Sequence, residues 1–306
     1  MEELSVLSLF CGVGGLDHGF HINPLFRVMK SIDNMKHAID TYELNFPGVA
    51  TVHDVTSLLD DEYDLGFQPD VIIGGPPCQE FSVAGKQKIG ARANMTLVYV
   101  DIICKYKPRY FVMENVPTIQ SIGKVIFDAA IERLQDAGYD IAKRLVYMPD
   151  YGVPQLRKRL IVMGVRGGVA DELARTLDTK KAPVSSMRDY MMRKGVDLGL
   201  EGKDHVYRHP RNYSRRGVFS VDELYPTVRG VLRKMPPNYT FHEGDTCHER
   251  ESIINPNCNF VARIQTFPEN FVWLPKNNSI IIGNAVPPVF SKVMADVIAN
   301  HYTAHA

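Results

Sequence analysis

The chain has 306 residues, of which 45% are hydrophobic and 23% charged, the proportions of an ordinary globular protein. Its 35 basic and 35 acidic side chains cancel, so the net charge does not indicate a nucleic-acid partner, and any such surface must be local. An acidic N-terminus and the lack of an apolar run of about 18 residues argue against a signal peptide and a membrane span. These features predict a cytoplasmic protein without membrane contacts.

The five cysteines form no CxxC pair, which argues against a disulfide framework and a zinc ribbon. One loose metal-like grouping, His242, Cys247, His248 and Cys258, is too irregular in spacing to predict a metal site. We therefore expect reduced thiols and no bound metal.

Residues 1–165 alternate short apolar runs with helical patterns. Several runs are apolar throughout, as in strands that are buried on both faces of a parallel sheet. The predicted strands are 5–10, 27–33, 49–53, 70–74, 109–114, 143–148 and 159–165, and the predicted helices are 36–45, 95–105 and 125–137. This alternation predicts an α/β fold with a doubly wound, Rossmann-like, mostly parallel sheet.

The pattern changes after Gly167. Residues 168 to about 275 contain few clean strands and many Pro dipeptides that are typical of loops. A final helix is predicted to start at Pro287 and Pro288 and to carry one apolar stripe. We therefore predict a larger domain formed by 1–166 and 279–306, and a smaller, irregular domain formed by 167–278.

A glycine-rich turn, FCGVGGL, follows the first predicted strand. Glycines at this point allow a ligand to approach backbone N–H groups, but Asp17 replaces the third glycine of the dinucleotide fingerprint. Asp33 and Asp54 follow the second and third strands, at the sheet edge where open α/β sheets bind ligands. The pattern favours an adenosine-containing cofactor over a nicotinamide dinucleotide. The alternative is a tight turn beside two solvated acids.

Three further stretches indicate chemistry at the same edge. Cys78 follows two prolines that stiffen its loop and position a thiol, although a buried inert cysteine is the alternative. Glu114 ends an apolar strand, where it could also cap a turn. Further along the chain, alternation on a strand predicts a common face for Gln155, Arg157 and Arg159, suited to binding an anion or a carbonyl, unless this is a solvated edge strand. Together, these groups suggest covalent activation of an electron-poor ring.

Six segments, in this order, resemble the motifs of the DNA (cytosine-5)-methyltransferase family of prokaryotic or phage type. They are FCGVGGLDHGF, GGPPCQEFSVAGKQK, MENV, QLRKR, RIQTFP at 263–268 and GNAVPP at 283–288, and the resemblance covers nearly all of 1–165 and 263–300. It implies a class I methyltransferase sheet in a large lobe that binds S-adenosylmethionine, with S-adenosylhomocysteine as the product. It also implies a small lobe that recognises the target DNA.

The resemblance also implies roles for individual residues. Cys78 would attack C6 of a cytosine, and Glu114 would contact N3 and the exocyclic amine. Arg157 and Arg159 would bind the O2 side of the base and the nearby backbone, with Gln155 beside them, and the base would be flipped out of the duplex. The implied cofactor residues are Phe10, Gly12, Gly14, Gly15, Leu16, Asp33, Asn34, Asp54, Val55, Pro76, Leu97, Asn284 and Val286.

A basic stretch at 203–217 lies between QLRKR and the PTVRG segment at 226–230, where the family places its target-recognition region. Basic side chains in such a patch contact phosphates and set affinity and register. The predicted DNA contacts are Lys203, Arg208, Arg211, Arg215, Arg216 and Arg229, although a solvated loop has a similar composition. The target sequence cannot be derived from this composition.

The predicted activity is methyl transfer to C5 of cytosine in a specific double-stranded DNA sequence. We expect a monomer that acts on the prokaryotic nucleoid, either alone or as the modification half of a restriction system with a cognate endonuclease. Two alternatives remain: a tRNA cytosine-5 methyltransferase of the same family, and a catalytically inactive relative that only binds DNA.

Overall fold

The computed structural model describes residues 2–77, 95–212 and 214–305. Their contacts divide the chain into two compact units, the first formed by Met1–Val146, Lys158–Lys180 and Phe290–Ala306. The second unit is formed by Tyr147–Arg157 and Lys181–Val289. Compared with the predicted boundaries, the structure groups 167–180 with the first unit, and 147–157 and 279–289 with the second. The functional division into domains stays a prediction.

The strands follow the predicted order, with ends displaced by a few residues. They are β1 (Leu4–Leu9), β2 (Phe26–Asp33), β3 (Ala50–Val52), β4 (Val71–Gly74), β5 (Tyr110–Asn115), β6 (Tyr139–Tyr147), β7 (Gln155–Leu156), β8 (Lys158–Arg166), β9 (His205–Tyr207), β10 (Val218–Ser220), β11 (Tyr225–Pro226) and β12 (Ile253–Ile254). The predicted last strand of the first domain, 159–165, is confirmed as β8.

The helices include the three predicted in the first 165 residues and several that the sequence pattern did not reveal. They are α1 (Asp17–Ile22), α2 (Lys36–Glu43), α3 (Met95–Tyr106), α4 (Lys124–Asp136), α5 (Asp171–Thr179), α6 (Met187–Lys194), α7 (Cys258–Ile264), α8 (Ser279–Asn284) and α9 (Pro288–Ala304). Helices α1 and α6–α8 have eight residues or fewer, too short for a clear periodic stripe.

The first unit contains a seven-stranded sheet in the order β3-β2-β1-β4-β5-β8-β6. The pairs from β3 to β5 are parallel, and β8 is antiparallel to β5, with Tyr110 opposite Val165 and Asn115 opposite Leu160. The predicted α/β fold with a mostly parallel sheet is confirmed. In this topology, the carboxyl ends of β1, β2, β4 and β5 lie at one edge.

Buried apolar strands explain why this sheet forms. All residues of β4 and β5 are buried, and the core that covers them includes side chains from α3 and α4. Gly164 in β8 packs against the ring of Phe111. A Cβ at Gly164 would come within 1.9 Å of that ring, so this position has no room for a side chain. Tyr139 meets the same ring edge-on at 5.2 Å. Close packing of this kind fixes the register of β5 and β8.

Among the described residues, the stretch Ser279–Ala304 is long and apolar enough to cross a membrane. In the structure it consists of α8 and α9, which are interrupted where Ala285 takes an extended backbone. Of its most apolar window, 61% is buried within the protein, and the stretch also contains Lys292 and Asp296. These features are typical of core helices. The absence of a membrane partner stays a prediction.

The strands that the structure describes in the second unit are all short. Strands β10, β9 and β12 form one sheet, in which β9 pairs antiparallel with β10 and parallel with β12, while β11 pairs parallel with β7. Its centre is organised by the buried carboxylate of Asp245. This carboxylate accepts hydrogen bonds from the backbone N–H groups of Gly217, Val218 and His242 and from the hydroxyl of Tyr239, all at 2.8–2.9 Å. The irregular character predicted for this region is confirmed.

Candidate functional site

The turn after β1 has an unusual backbone. Phe10, Gly12 and Gly14 all have positive φ angles, of 55°, 56° and 82°. Glycine adopts such angles readily, whereas a bulky residue such as Phe10 does so at a cost of about 1–3 kcal/mol, typical of functional sites. At Gly14, a Cβ would also lie 2.8 Å from the ring of Tyr42. The turn therefore requires glycine for both conformation and space.

Asp33, at the end of β2, closes this turn. Its Oδ2 accepts a hydrogen bond from the Gly12 N–H at 3.0 Å, and its Oδ1 accepts one from the Met35 N–H at 2.8 Å. Burial raises the pKa of Asp33 above its ordinary value, although these two hydrogen bonds act to lower it. The adjacent Asn34 is exposed. The structure thus brings the predicted ribose-binding acid directly to the glycine turn.

Asp54 lies after β3 and caps the turn that follows. Its Oδ1 accepts the Thr56 N–H at 3.0 Å, and this hydrogen bond lowers the pKa of the exposed carboxyl group. Val55 and Pro76 are buried, and Leu97 is half-buried. The cap occupies one carboxylate oxygen and leaves the group ionised at the surface.

Asp17, which replaces the third fingerprint glycine, has a structural role that the sequence did not reveal. It is fully buried and accepts hydrogen bonds from the Ser8 and Ser31 hydroxyls, at 3.0 and 2.7 Å, and from the Tyr42 hydroxyl at 2.9 Å. Burial raises the pKa of Asp17 to about 6. Asp17 thereby connects β1, β2 and α2 beneath the glycine turn.

Glu114 and Arg159 form a partly buried ion pair at the carboxyl end of β5. Arg159 Nε lies 2.7 Å from Glu114 Oε1, with 16% and 11% of the two side chains exposed. The buried Oε1 nevertheless has no hydrogen-bond partner among the described residues, because the Nε–H does not point at it. At Gly75, a Cβ would lie 3.5 Å from Glu114 Oε2, so glycine keeps this face of the carboxylate open. The carboxylate is compensated in charge and retains capacity for a ligand.

The predicted nucleophile, Cys78, lies outside the described residues. The structure does describe the loop up to Pro77, where the Pro76 carbonyl accepts a hydrogen bond from Asn115 Nδ2 at 3.5 Å. Gly74, at the start of this loop, could not carry a side chain, since a Cβ would meet the Leu9 carbonyl and the Tyr99 ring at 2.7 Å. The segment leading to Cys78 is therefore fixed by close packing.

Gln155 and Arg157 belong to the second unit and are fully buried. Gln155 Nε2 donates to the Ile264 carbonyl at 3.1 Å and to Gln265 Oε1 at 2.6 Å, while its Oε1 accepts the Val228 N–H at 3.0 Å. Arg157 lies between β7 and β8 and donates from Nη1 to the Gly283 carbonyl at 3.2 Å. Its Nη2 donates to the Ala285 carbonyl at 3.1 Å. These bonds hold the turn that contains Asn284.

The predicted alternation along this segment is present, but on two strands instead of one. Gln155 and Arg157 are buried, whereas Leu156 and Lys158 are exposed. The strand breaks at Arg157, which lies between β7 and β8. Leu160 is buried, so the alternation does not continue past the break at Arg157, and a common face for Gln155, Arg157 and Arg159 stays a prediction.

The predicted DNA-contact residues lie in the second unit and differ in their partners. Arg216 pairs with Glu223, with Nη1 to Oε1 at 3.2 Å, so its charge is compensated. Arg208 and Arg229 are half-buried and donate to the carbonyls of Thr227 and His209. Lys203 is half-buried, and Arg211 and Arg215 are exposed.

An uncompensated arginine cluster, defined here as Arg208, Arg211, Arg229 and Arg233, is the clearest electrostatic feature of this unit. Burial, reinforced by Arg229, lowers the pKa of Arg208 to about 10, and the pKa of Arg229 is lowered for similar reasons. No carboxylate of the described residues forms an ion pair with these four side chains. Three of them, Arg208, Arg229 and Arg233, line a small pocket together with Tyr225. Such a site favours an anion.

The chain is similar in sequence and in fold to several known proteins. The family model of the C-5 cytosine-specific DNA methylases matches residues 4–300. The chain is 36% identical over 303 residues to the Type II methyltransferase M.HindV of Haemophilus influenzae, covering 97% of both proteins. It is 38% identical over 297 residues to the Type II methyltransferase M.HgiDI of Herpetosiphon aurantiacus, covering 93% of this chain and 90% of that protein. The solved structure of S. pombe Dnmt2 methyltransferase covers 98% of this chain and 99% of its own, with a TM-score of 0.68 and 18% identity, and shares the fold.

Proposed function

Since the chain belongs to the C-5 cytosine-specific DNA methylase family and is a DNA (cytosine-5)-methyltransferase, we propose that it methylates C5 of a flipped-out cytosine in a specific double-stranded DNA sequence. S-adenosylmethionine would be the donor, and Cys78 would form a transient covalent bond with C6. The observation that carries this proposal is the partly buried Glu114–Arg159 ion pair. Among the described residues, Glu114 Oε1 accepts no hydrogen bond, although Arg159 lies beside it.

The proposed roles of Cys78 and Glu114 follow from the chemistry of the ring. Addition of the Cys78 thiolate to C6 forms a C–S bond and moves the ring electron pair toward C5, N3 and O2. A proton held by Glu114 at N3 neutralises this charge, and the carboxylate also accepts from the exocyclic amine. Arg159 forms an ion pair with the carboxylate and keeps it in place. After methylation, the C5 proton is lost to solvent, the C5–C6 double bond re-forms as the C–S bond breaks to release the Cys78 thiolate, and the N3 proton returns to Glu114.

The residues at the carboxyl edge of the first unit fit the donor. Asp33 holds the Gly12–Gly14 turn, and Asp33 and Asp54 supply carboxylates at neighbouring strand ends. When bound, S-adenosylmethionine supplies an electrophilic methyl group on a sulfonium centre. We propose that Phe10, Gly12 and Asp33 hold it, with the other predicted cofactor residues around them.

In the second unit, we propose a positioning role for Arg157 in addition to its predicted contact with the substrate. Its two Nη groups bind the carbonyls on either side of Asn284, a predicted cofactor residue. Gln155 similarly fixes Val228 beside Arg229. These two side chains would act through the backbone segments that they hold.

For DNA, we propose that the arginine cluster binds phosphates. Its four cations have no carboxylate partner among the described residues, and anion binding would relieve their mutual repulsion. Flipping the target base out of the duplex costs a few kcal/mol, which these contacts would offset. Because the relatives are named Type II methyltransferases, we also propose that the enzyme modifies DNA in the cytoplasm alongside a cognate restriction endonuclease.

Bisulfite sequencing of plasmid DNA from cells that express the protein tests this proposal. The wild type should protect one cytosine within one recurring sequence, and Cys78→Ser should protect none while still binding S-adenosylmethionine in calorimetry. Equal protection by Cys78→Ser would refute the nucleophile.

Incubation with labelled donor and either duplex DNA or total tRNA separates the two substrate classes. Label in DNA alone is the expected result, and label in tRNA alone would overturn the DNA assignment. Duplexes that contain 5-fluorocytosine at the target should trap the protein covalently. Failure to trap it, together with unprotected plasmid DNA, would indicate an inactive relative.

A further inference from the structure

Two histidines and a glutamate come together in the first unit, away from the residues discussed above. His301 in α9 and His305 just after it are four residues apart, and Glu172 lies in the first turn of α5. Glu172 Oε2 is 3.1 Å from His305 Nε2 and 3.7 Å from His301 Nε2. One potential ligand atom from each residue lies within 4.8 Å of the other two. The three side chains therefore form one cluster, in which the two imidazole rings stack with their centroids 4.3 Å apart.

A hydrogen bond of the His305 ring directs its Nε2 atom toward Glu172. His305 Nδ1 is 2.8 Å from the His301 carbonyl, which can only accept, so Nδ1 carries the proton. In neutral His305, the Nε2 lone pair then faces the oxygen of Glu172. Two lone pairs at 3.1 Å repel each other unless a proton or another cation lies between them.

His301 supplies an independent indication of a ligand. It is only 6% exposed, and its Nδ1 is 3.0 Å from the Tyr110 hydroxyl. Its buried Nε2 has no partner with hydrogen-bond geometry among the described residues, although the Val169 carbonyl also interacts with the ring. A buried imidazole nitrogen without a well-formed hydrogen bond is uncommon, because burial of an unsatisfied polar atom costs about 1–3 kcal/mol.

We propose that Glu172, His301 and His305 bind one divalent transition-metal cation of the Zn²⁺ class. Two imidazoles and a carboxylate are a common zinc donor set. Zn–N and Zn–O bonds of about 2.0–2.1 Å place tetrahedral ligand atoms roughly 3.3 Å apart. The observed separations of 3.1 and 3.7 Å lie on either side of this value. Tyr110 and the His301 carbonyl would orient the rings from outside the metal sphere.

The position of this cluster indicates a structural metal. Tyr110, which contacts His301, is the first residue of β5, whereas Glu114 lies four residues further along the strand. At about 3.3 Å per residue, the two positions are about 13 Å apart. The cation would join α5 to α9 at the opposite end of the sheet from the proposed reaction, and it would stabilise the fold without entering the chemistry.

Calorimetric titration of the tag-free protein with ZnCl₂ in metal-free buffer tests the proposal. We expect one Zn²⁺ per chain and a higher Tm with zinc than with chelator. His305→Gln removes an exposed ligand and should weaken zinc binding by at least about 10- to 100-fold, as should Glu172→Gln. Tyr110→Phe should weaken binding about 10-fold by freeing the His301 ring. His248→Gln, at an exposed histidine of the second unit, is the matched control and should bind as the wild type does.

Co²⁺ gives a readout that a simple ion pair would not produce. The wild type should develop the visible absorption of low-coordinate Co²⁺, and His305→Gln should not. Absence of zinc binding by the wild type, or equal binding by the wild type, His305→Gln and Glu172→Gln, would overturn the proposal. In that case the cluster would be an imidazolium–carboxylate pair, and both variants would lower Tm to the same extent with and without zinc.

Discussion

The first unit and the second unit are each stabilised internally by a different kind of interaction. In the first unit, apolar strands such as β4 and β5 are buried along their whole length, and the sheet itself pairs their backbone groups. In the second unit the strands have two or three residues, and buried polar side chains such as Asp245 and Gln155 bind the backbone groups that no strand pairs. Buried backbone groups require partners in either case. A region with little regular structure therefore depends on a few individual side chains.

The largest expected effect is the loss of Asp245. Asp245→Ala leaves four donors in the interior of the second unit without their acceptor, at about 1–3 kcal/mol for each buried group, so we expect a loss of about 5 kcal/mol. Trp273, the only tryptophan, lies in this unit and reports its unfolding by fluorescence in urea. Cooperative unfolding at an unchanged urea midpoint would contradict the central role of this carboxylate.

Phe111→Ala is the corresponding change in the first unit. Removal of this fully buried ring leaves a cavity beside Gly164 and Tyr139, and we expect a loss of about 3–5 kcal/mol. Hydrogen exchange measured by mass spectrometry should show faster exchange in β5 and β8, with the second unit as the internal control. Gly164→Ala should destabilise the wild type and be better tolerated in the Phe111→Ala background. Additive effects of the two substitutions would exclude the steric contact.

Asp17 gives the first unit a specific pH dependence. Burial raises the pKa of Asp17 in the folded protein to about 6, compared with about 3.9 when unfolded. Between these values the unfolded chain binds fewer protons than the folded protein, so the free energy of unfolding falls as pH rises, by about 3 kcal/mol in total.

Asp17→Asn cannot titrate and should lack this contribution. Urea unfolding of both proteins at pH 4 and pH 7 measures it, and the wild type should lose about 2 kcal/mol more than the variant between the two pH values. A stability difference that is the same at both pH values would show that Asp17 does not titrate in this range.

The smallest expected effect is on DNA binding, and it distinguishes arginines of the second unit that have a carboxylate partner from those that have none. Arg208→Gln should weaken binding to a fluorescent duplex by about 1–2 kcal/mol and lower the salt dependence by about one ion. Arg216→Gln should change binding less, because Glu223 already compensates Arg216. Fluorescence anisotropy at several salt concentrations measures both variants. A larger effect at Arg216 would indicate that DNA binding breaks its pair with Glu223.

The sequence predicted the sheet of the first unit well because several of its strands, such as β4 and β5, are largely apolar and fully buried. It also placed Asp33 and Glu114 at strand ends, and in the structure Asp33 contacts the glycine turn while Glu114 pairs with Arg159. It did not reveal Asp17 or Asp245 as central acceptors, because the donors of each carboxylate lie on separate segments that folding brings together. The approach of Glu172 to His301 was not predicted either, since these residues lie on α5 and α9, which are distant from each other in the sequence.

By itself, the sequence determined the fold class, the family and the strands after which the candidate site residues lie. It could do so because the spacing of hydrophobic residues and of motifs is a local property of the chain. The tertiary structure alone decided which carboxylates are buried acceptors, which arginines are compensated and which histidines converge. Those outcomes depend on the burial and the partners of each charge, and these are set by segments that meet only after folding.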